Sequence, residues 1–319
     1  MAAIETFELE KSYQVGFWRK RERQALRPLT LAVEEGEVFG YLGPNGAGKT
    51  TTLKLLMGLI YPTGGSATIL GRPLDDREMK AQIGFLPEQP YFYDHLSARE
   101  LLTYLATLSG VVATERRRRV DEVLNRVGLG GDANIQLRKF SKGMLQRVGI
   151  AQAIVHNPKL IFLDEPMSGL DPVGRREVRD LIQSLKDEGK TIFFSTHILS
   201  DAETLCDRVA VLNNGQLRGI GVVADLAREI SGKIEVVWEG IAALGAITGL
   251  GAETHGSGSI FRAVLPESVL ERAVDVIRNT HSRLIAITPL RATLEDFFLQ
   301  KLQADSEPAS RAARGESGS

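Results

Sequence analysis

A single cysteine, Cys206, stands among 319 residues, so no disulfide can close within the chain and a reducing compartment suits it. Its setting, Ala202-Glu203-Thr204-Leu205-Cys206-Asp207-Arg208, reads as an inert, half-buried thiol. Neither sign of charge predominates: 39 lysines and arginines oppose 40 aspartates and glutamates. That balance argues against a dedicated nucleic-acid binder, and no nucleic-acid partner is expected. No stretch approaches the ~18 consecutive apolar residues that span a bilayer, and the first residues lack the basic-then-apolar order of a secretion signal. The chain is therefore expected to conduct nothing across a membrane by itself. What it does have is 43% apolar residues, ample for a packed core, in a length that exceeds one ordinary domain. A second, smaller domain is expected.

The most informative stretch is Gly43-Pro44-Asn45-Gly46-Ala47-Gly48-Lys49-Thr50, followed by Thr51. Apolar Val38–Leu42 supplies a short buried strand before it, and Leu53–Met57 continues a helix after it. This strand, loop and helix order is the setting in which such a loop cradles phosphates. The glycines let the backbone bend and turn its N–H groups toward an anion near a helix N-terminus. Lys49 can reach β- and γ-phosphates, and the Thr50 hydroxyl can serve as a Mg²⁺ ligand.

A phosphate loop leaves kinases, GTPases and ATPases open. Further on, Leu160-Ile161-Phe162-Leu163-Asp164-Glu165 is an apolar run ending in two carboxylates, the pattern of a buried parallel strand that delivers acids at its C-terminal end. Asp164 is expected in the Mg²⁺ shell, and Glu165 is expected to polarise an attacking water. A third strand, Thr191 to Thr196, leads into His197. A lone histidine at a strand end can be structural or can reach a γ-phosphate oxygen.

Phe140-Ser141-Lys142-Gly143-Met144 lies shortly before the Asp164 strand. Here the chain resembles the ATP-binding subunit of an ABC transporter, from about Ile4 to about Gln216. The motifs fall in the family's order: phosphate loop, glutamine loop, signature, carboxylate strand, the Ser168-Gly169-Leu170-Asp171 loop, and His197. The resemblance implies an α/β P-loop ATPase fold of ABC type, with a mostly parallel sheet and a helical arm over about 88–158. It implies ATP and Mg²⁺ as ligands, with Glu165 as catalytic base and His197 as γ-phosphate sensor. It also implies a head-to-tail pair, a homodimer by default, in which Ser141, Gly143 and Asp171 complete the nucleotide site of the second subunit. Phe140, Lys142 and Met144 replace the Leu, first Gly and Gln of the commonest signature, which puts the hydrolysis rate in question. The metal-sensing position falls on Glu88 or Gln89, and Tyr13 best matches the aromatic that stacks on adenine, with Phe17 or Trp18 as substitutes. The partner implied is an integral-membrane permease on another chain, which would hold this one at the cytoplasmic face of the cell membrane. A rival reading is a soluble ABC-type ATPase that remodels a nucleoprotein complex. It lacks support from a second nucleotide domain or a long coiled coil. A P-loop kinase would explain neither the signature nor His197.

Elsewhere the signals are weaker. Gly16-Phe17-Trp18-Arg19-Lys20-Arg21-Glu22-Arg23 lengthens a hairpin between the first two strands and suits either an anionic-lipid contact or a solvated tip. The Arg116–Arg119 run precedes Val120, Val123 and Leu124 at helical spacing, so these arginines are expected mostly to line a solvent face. A nucleotide domain is expected over 1–222 and a small α+β accessory domain over 223–302. The latter has strands at Lys233–Trp238, Ser259–Leu265 and Leu284–Ile287, a helix across 269–277, and a capped helix near Thr293–Leu299. Similar appendages occur in subunits that serve export permeases of the ABC-2 kind. Residues 303–319 carry almost nothing to bury and are expected to be disordered.

Overall fold

The computed structural model describes residues 1–16, 21–223, 225 and 233–289. The basic hairpin tip at 17–20, the link through 226–228, the Thr293–Leu299 segment and the 303–319 tail lie outside the described residues. The chain divides into two compact units, Met1–Gly221 and a second from Val222 on.

The first unit opens with two long strands, β1 (Ala2–Val15) and β2 (Arg21–Glu34), paired antiparallel with Tyr13 opposite Arg23. β4 (Gly64–Ile69) adds to the other side of β1, and the two-residue β5 (Arg72–Pro73) completes this sheet in the order β2-β1-β4-β5. The second sheet has the order β10-β9-β3-β8-β7-β6. It contains β3 (Val38–Leu42), β6 (Ile83–Leu86), β7 (Leu160–Asp164), β8 (Thr191–Thr196), β9 (Arg208–Asn213) and β10 (Gln216–Val222). β6, β7, β8, β3 and β9 run parallel. Every residue of β3, β7 and β8 is buried, as expected of parallel strands covered on both faces and written as near-continuous apolar runs. Ile4, Leu9, Leu26 and Leu29 of the first sheet join Phe39, Phe162 and Phe193 of the second in one core, with Leu53, Leu55 and Leu56 of helix α1 (Lys49–Leu56).

The short α2 (Arg77–Lys80) precedes β6. The arm between β6 and β7 holds α3 (Ala98–Leu108), α4 (Ala113–Arg126) and α5 (Lys142–Ile154). A capping box starts α3, in which Ser97 and Glu100 satisfy each other's backbone N–H. Along α4, Arg117 and Arg118 are exposed, as the spacing predicts. Arg119 turns inward instead and donates to Ile154 O (2.9 Å) and Val155 O (3.0 Å), where the end of α5 needs donors. Two further helices, α6 (Pro172–Asp187) and α7 (Leu199–Leu205), flank β8 in sequence. Cys206 corrects an expectation: it is buried rather than half-buried, against Gly40, and burial pushes its thiol well above the usual range. No helix among the described residues is long and apolar enough to cross a membrane.

The second unit is a four-stranded antiparallel sheet in the order β12-β13-β11-β14, from β11 (Lys233–Glu239), β12 (Glu253–Ser257), β13 (Ile260–Pro266) and β14 (Arg283–Pro289). α8 (Leu244–Thr248) and α9 (Leu270–Asn279) supply Ile247, Ala273 and Ile277 to a core around Trp238, Phe261 and Leu265. β12 escapes sequence reasoning because Glu253-Thr254-His255-Gly256-Ser257 has no apolar alternation. Its partner β13 makes it a strand.

Candidate active site

The parallel register sets Leu42 beside Thr196 and Asp164 beside Ser195, so the C-terminal ends of β3, β7 and β8 share one edge. The phosphate loop leaves β3 there, Glu165 follows β7, and His197 follows β8. Loops at this edge of an open α/β sheet are where ligands bind.

The loop forms a cradle because of its glycines. At Gly48, which caps α1 with φ +107°, a Cβ would stand 2.5 Å from Ala25 O. Only hydrogen fits between the loop and β2. Lys49 opens α1 and folds back, donating to Gly43 O (2.7 Å) and Pro44 O (3.4 Å) and lying 3.4 Å from Glu165 Oε1. Thr50 Oγ1 donates to Asp164 Oδ2 (3.1 Å), and Ser195 Oγ donates to Asp164 Oδ1 (2.5 Å). Burial pushes the Asp164 carboxyl above the ordinary carboxylate range, while these two hydroxyls and Lys49 oppose the shift.

Glu165 occupies the left-handed region at φ +50° and is nearly buried. Its Oε1 lies 2.9 Å from His197 Nδ1, and Thr196 Oγ1 lies 3.5 Å from its Oε2. The segment behind it is held by Gln146 of α5, whose Nε2 donates to Pro166 O at 2.8 Å. The two carboxylates thus have distinct tasks available. Asp164 is fixed by hydroxyls next to the loop, and Glu165 faces the lysine and histidine.

The loop and the two carboxylates surround a cavity of about 690 Å³, within the span of ordinary ligand pockets. Pro44, Asn45, Gly46, Gly48, Lys49, Thr50, Thr51, Asp164 and Glu165 line it, together with Tyr13 and Glu88. Gly43 and Ala47 shape the loop from beneath: a Cβ on Gly43 would meet Leu212 O at 2.4 Å, and Gly215 N donates to Ala47 O. Glu88 reaches the cavity lining and its neighbour Gln89 does not. Tyr13 stands at the cavity with the Lys11 ammonium 5.2 Å from its ring centre. Arg23, Gln24, Ala25 and Arg27 of β2, and Asn214-Gly215 between β9 and β10, complete the lining. They carry no motif and enter only through strand pairing.

Ser141, Gly143 and Asp171 lie outside this lining. Ser141 caps α5, accepting from Met144 N at 3.2 Å. Asp171 caps α6, accepting from Gly174 N at 2.8 Å. A Cβ on Gly143 would meet only Leu170 Cδ2, at 3.9 Å. The start of α5 therefore presents a hydroxyl and a bare backbone that this chain's own fold leaves open.

A triphosphate fits the cradle, because the loop closes to backbone where side chains would block it and presents Lys49 at its centre. Mg²⁺ fits the donor set. Thr50 and Asp164 offer hard oxygens, and no cluster of three acidic, histidine or cysteine side chains forms a metal cage among the described residues. That suits an ion that completes its shell with phosphate and water.

A phosphate loop with its lysine, a hydroxyl and carboxylate for a metal, and a second carboxylate beside a histidine, all on a parallel sheet, define a P-loop nucleoside triphosphatase. Residues 26–168 match the family model for ABC transporters, and the chain is 45% identical over 305 residues to an uncharacterized ABC transporter ATP-binding protein of Synechocystis, covering 94% of this chain and 84% of that one. The chain belongs to the ABC transporter ATP-binding family, whose nucleotide domains bind and hydrolyse ATP. It is also similar to the bacitracin transport ATP-binding protein of Bacillus licheniformis, at 43% identity over 67% of this chain and 68% of that one. Among solved structures it resembles a dimeric ATP-binding cassette in a post-hydrolysis state bound to ADP and phosphate. That match has 29% identity, a TM-score of 0.62, and covers 69% of this chain and 98% of that one.

Proposed function

We propose that this chain hydrolyses ATP with Mg²⁺ as one half of a head-to-tail nucleotide-sandwich dimer and thereby powers a separate integral-membrane permease, an exporter, from the cytoplasmic face of the cell membrane. The observation that carries the reading is a division of groups. Lys49 and Glu165 line one cavity with His197 bonded to Glu165, whereas at the start of α5 Ser141 is exposed and a Cβ on Gly143 would meet only Leu170 Cδ2. A second subunit's triphosphate is the ligand that suits such a hydroxyl and bare backbone at a helix N-terminus. Asp171 would join it at that interface.

Within one site, Tyr13 would stack on adenine while Lys49 and the loop N–H groups hold the phosphates. Thr50 and Asp164 would hold Mg²⁺, with Glu88 positioned to sense it. When bound, the metal supplies charge neutralisation on the phosphate oxygens. Glu165 orients and deprotonates the attacking water, and His197 fixes the Glu165 carboxylate and reaches toward the γ-phosphate. Positioning and charge neutralisation account for most of the rate in such transfers. The export direction draws support from the bacitracin transport relative and from the small α+β unit, read as an accessory or regulatory domain over about 223–302.

The test is to recover tagged Glu165→Gln protein with ATP and Mg²⁺ from detergent-solubilised native membranes and to identify what accompanies it. A multi-span permease is the expected partner. Recovery of ribosomes or nucleic acid instead would shift the reading to a soluble remodelling ATPase.

A further inference from the structure

Asp201 is a buried carboxylate that the reading above leaves without a task. It is 2% exposed and lies in the first turn of α7. Its Oδ1 stands 4.0 Å from Arg179 Nη2 of α6, and its Oδ2 is buried with no hydrogen-bond partner among the described residues. Arg179 Nε is buried and unpartnered in the same way. Such a pair is costly. Desolvating a carboxylate offsets what a single long ion pair returns, so stability alone is a poor reason for the acid.

The surroundings give a better one. Burial raises the Asp201 pKa, the charges of Arg175, Arg179 and His197 oppose that shift, and Glu165 adds to it. Arg179 is the cation at ion-pair distance, and Arg175 lies one turn earlier on the same helix. Arg175 Nε donates to Leu170 O at 3.3 Å, inside the Ser168–Asp171 loop, and Asp171 caps the same helix. On the other side, α7 begins two residues after His197, which is bonded to Glu165. One buried carboxyl group thus joins the helix that carries the loop to the helix that follows the histidine.

We propose that Asp201 is a positioning residue: through Arg179 and the helix α6 that carries it, it holds the Ser168–Asp171 loop in register with the His197–Glu165 pair, so that a second subunit seated on the loop sets the geometry of the base. The inference rests on the head-to-tail reading given above. An acid that served only the α7 dipole would change stability and leave turnover per folded molecule alone.

Full-length Asp201→Asn keeps the shape and removes the charge, and Asp201→Glu restores the charge. Thermal unfolding, equilibrium ATP binding, ATP-dependent dimerisation in a Glu165→Gln background, and ATPase kcat and KM are measured for each. With Asp201→Asn, ATP affinity and dimerisation stay within about twofold while kcat falls about 10- to 100-fold at unchanged KM. Asp201→Glu recovers most of the rate, and Arg179→Gln combined with Asp201→Asn falls no further than either alone. A kcat for Asp201→Asn within about twofold of the parent, or one that falls only with the folded fraction, overturns the inference. So does a failure of Asp201→Glu to restore the rate. If Glu165→Gln protein stays monomeric with ATP, the head-to-tail reading falls and this inference falls with it. A dimer that forms while turnover ignores Asp201 removes the inference alone.

Discussion

Lys49 Nζ lies 3.4 Å from Glu165 Oε1, and 7% of each side chain is exposed. The same oxygen meets His197 Nδ1 at 2.9 Å, although Glu165 has to adopt φ +50° to present it. A left-handed non-glycine residue costs about 1 kcal/mol or more and persists only where its neighbours over-determine it. Here the Glu165 N–H donates to Ser195 O at 3.1 Å, and Gln146 pins the next carbonyl. The loop lysine, the carboxylate and the histidine are therefore assembled within one chain.

Glu165→Gln keeps the shape and removes both the proposed base and the charge facing Lys49. Steady-state ATPase activity should fall about 10²- to 10⁴-fold, the span of a lost general base. ATP affinity, read by equilibrium binding, should hold or tighten, because a negative charge has left the phosphate site. A turnover close to the parental rate would remove Glu165 from the role of base.

Ser195→Ala tests the support under Asp164. The Ser195 hydroxyl donates to Asp164 Oδ1 at 2.5 Å in a fully buried setting, and Thr50 alone would remain on the other oxygen. Deleting the hydrogen-bond partner of a metal ligand typically weakens metal affinity about 10- to 100-fold. A Mg²⁺ titration of ATPase activity should move to higher concentration by that factor, with the maximal rate at saturating Mg²⁺ less affected. A titration superimposable on the parent's would separate Ser195 from the metal site.

These two variants also mark where the sequence is legible. Gly43 to Thr51, Leu160 to Glu165 and Thr191 to His197 each carry their chemistry within one continuous stretch, so strand, loop and functional group are read together. Ser195, Thr196 and Gln146 are not legible in this way. Ser195 becomes a partner of Asp164 only through the β7–β8 register, and Gln146 becomes one of Pro166 only because α5 lies against that segment. Likewise Gln24, Arg27 and Asn214 enter the cavity through the placement of β2 and of the β9–β10 turn, which no local spacing encodes.

His156 should give a pH-dependent stability. Its Nε2 lies 2.9 Å from Ile83 O, its Nδ1 is buried without a partner among the described residues, and burial holds its pKa below the ordinary value. The unfolded chain, with a histidine near pH 6.5, binds a proton at higher pH than the folded one. Stability contributed by neutral His156 is thus complete above about pH 6.5 and is lost as pH falls from there through the folded pKa, below which the slope vanishes. Thermal unfolding between about pH 7 and 5 should show a steeper decline for the parent than for His156→Gln. Parallel curves would assign the decline to other groups.

Gly143→Ala separates what the fold needs from what the reaction needs. Gly143 is the second residue of α5, its φ is not in the positive range, and an added methyl would touch only Leu170 Cδ2 at an ordinary 3.9 Å. Alanine is the better helix former, so the isolated subunit should be as stable as the parent or more so, by up to about 1 kcal/mol. Close approach of a second subunit's phosphate to the bare backbone would be blocked. ATPase activity should therefore collapse, and a Glu165→Gln, Gly143→Ala double variant should bind ATP yet fail to dimerise by size-exclusion chromatography. Stability and turnover would then move in opposite directions from one methyl group, which a glycine serving this chain's own packing cannot produce. A variant that loses stability and activity together would mean that the fold itself requires Gly143 and that the start of α5 is not an interface.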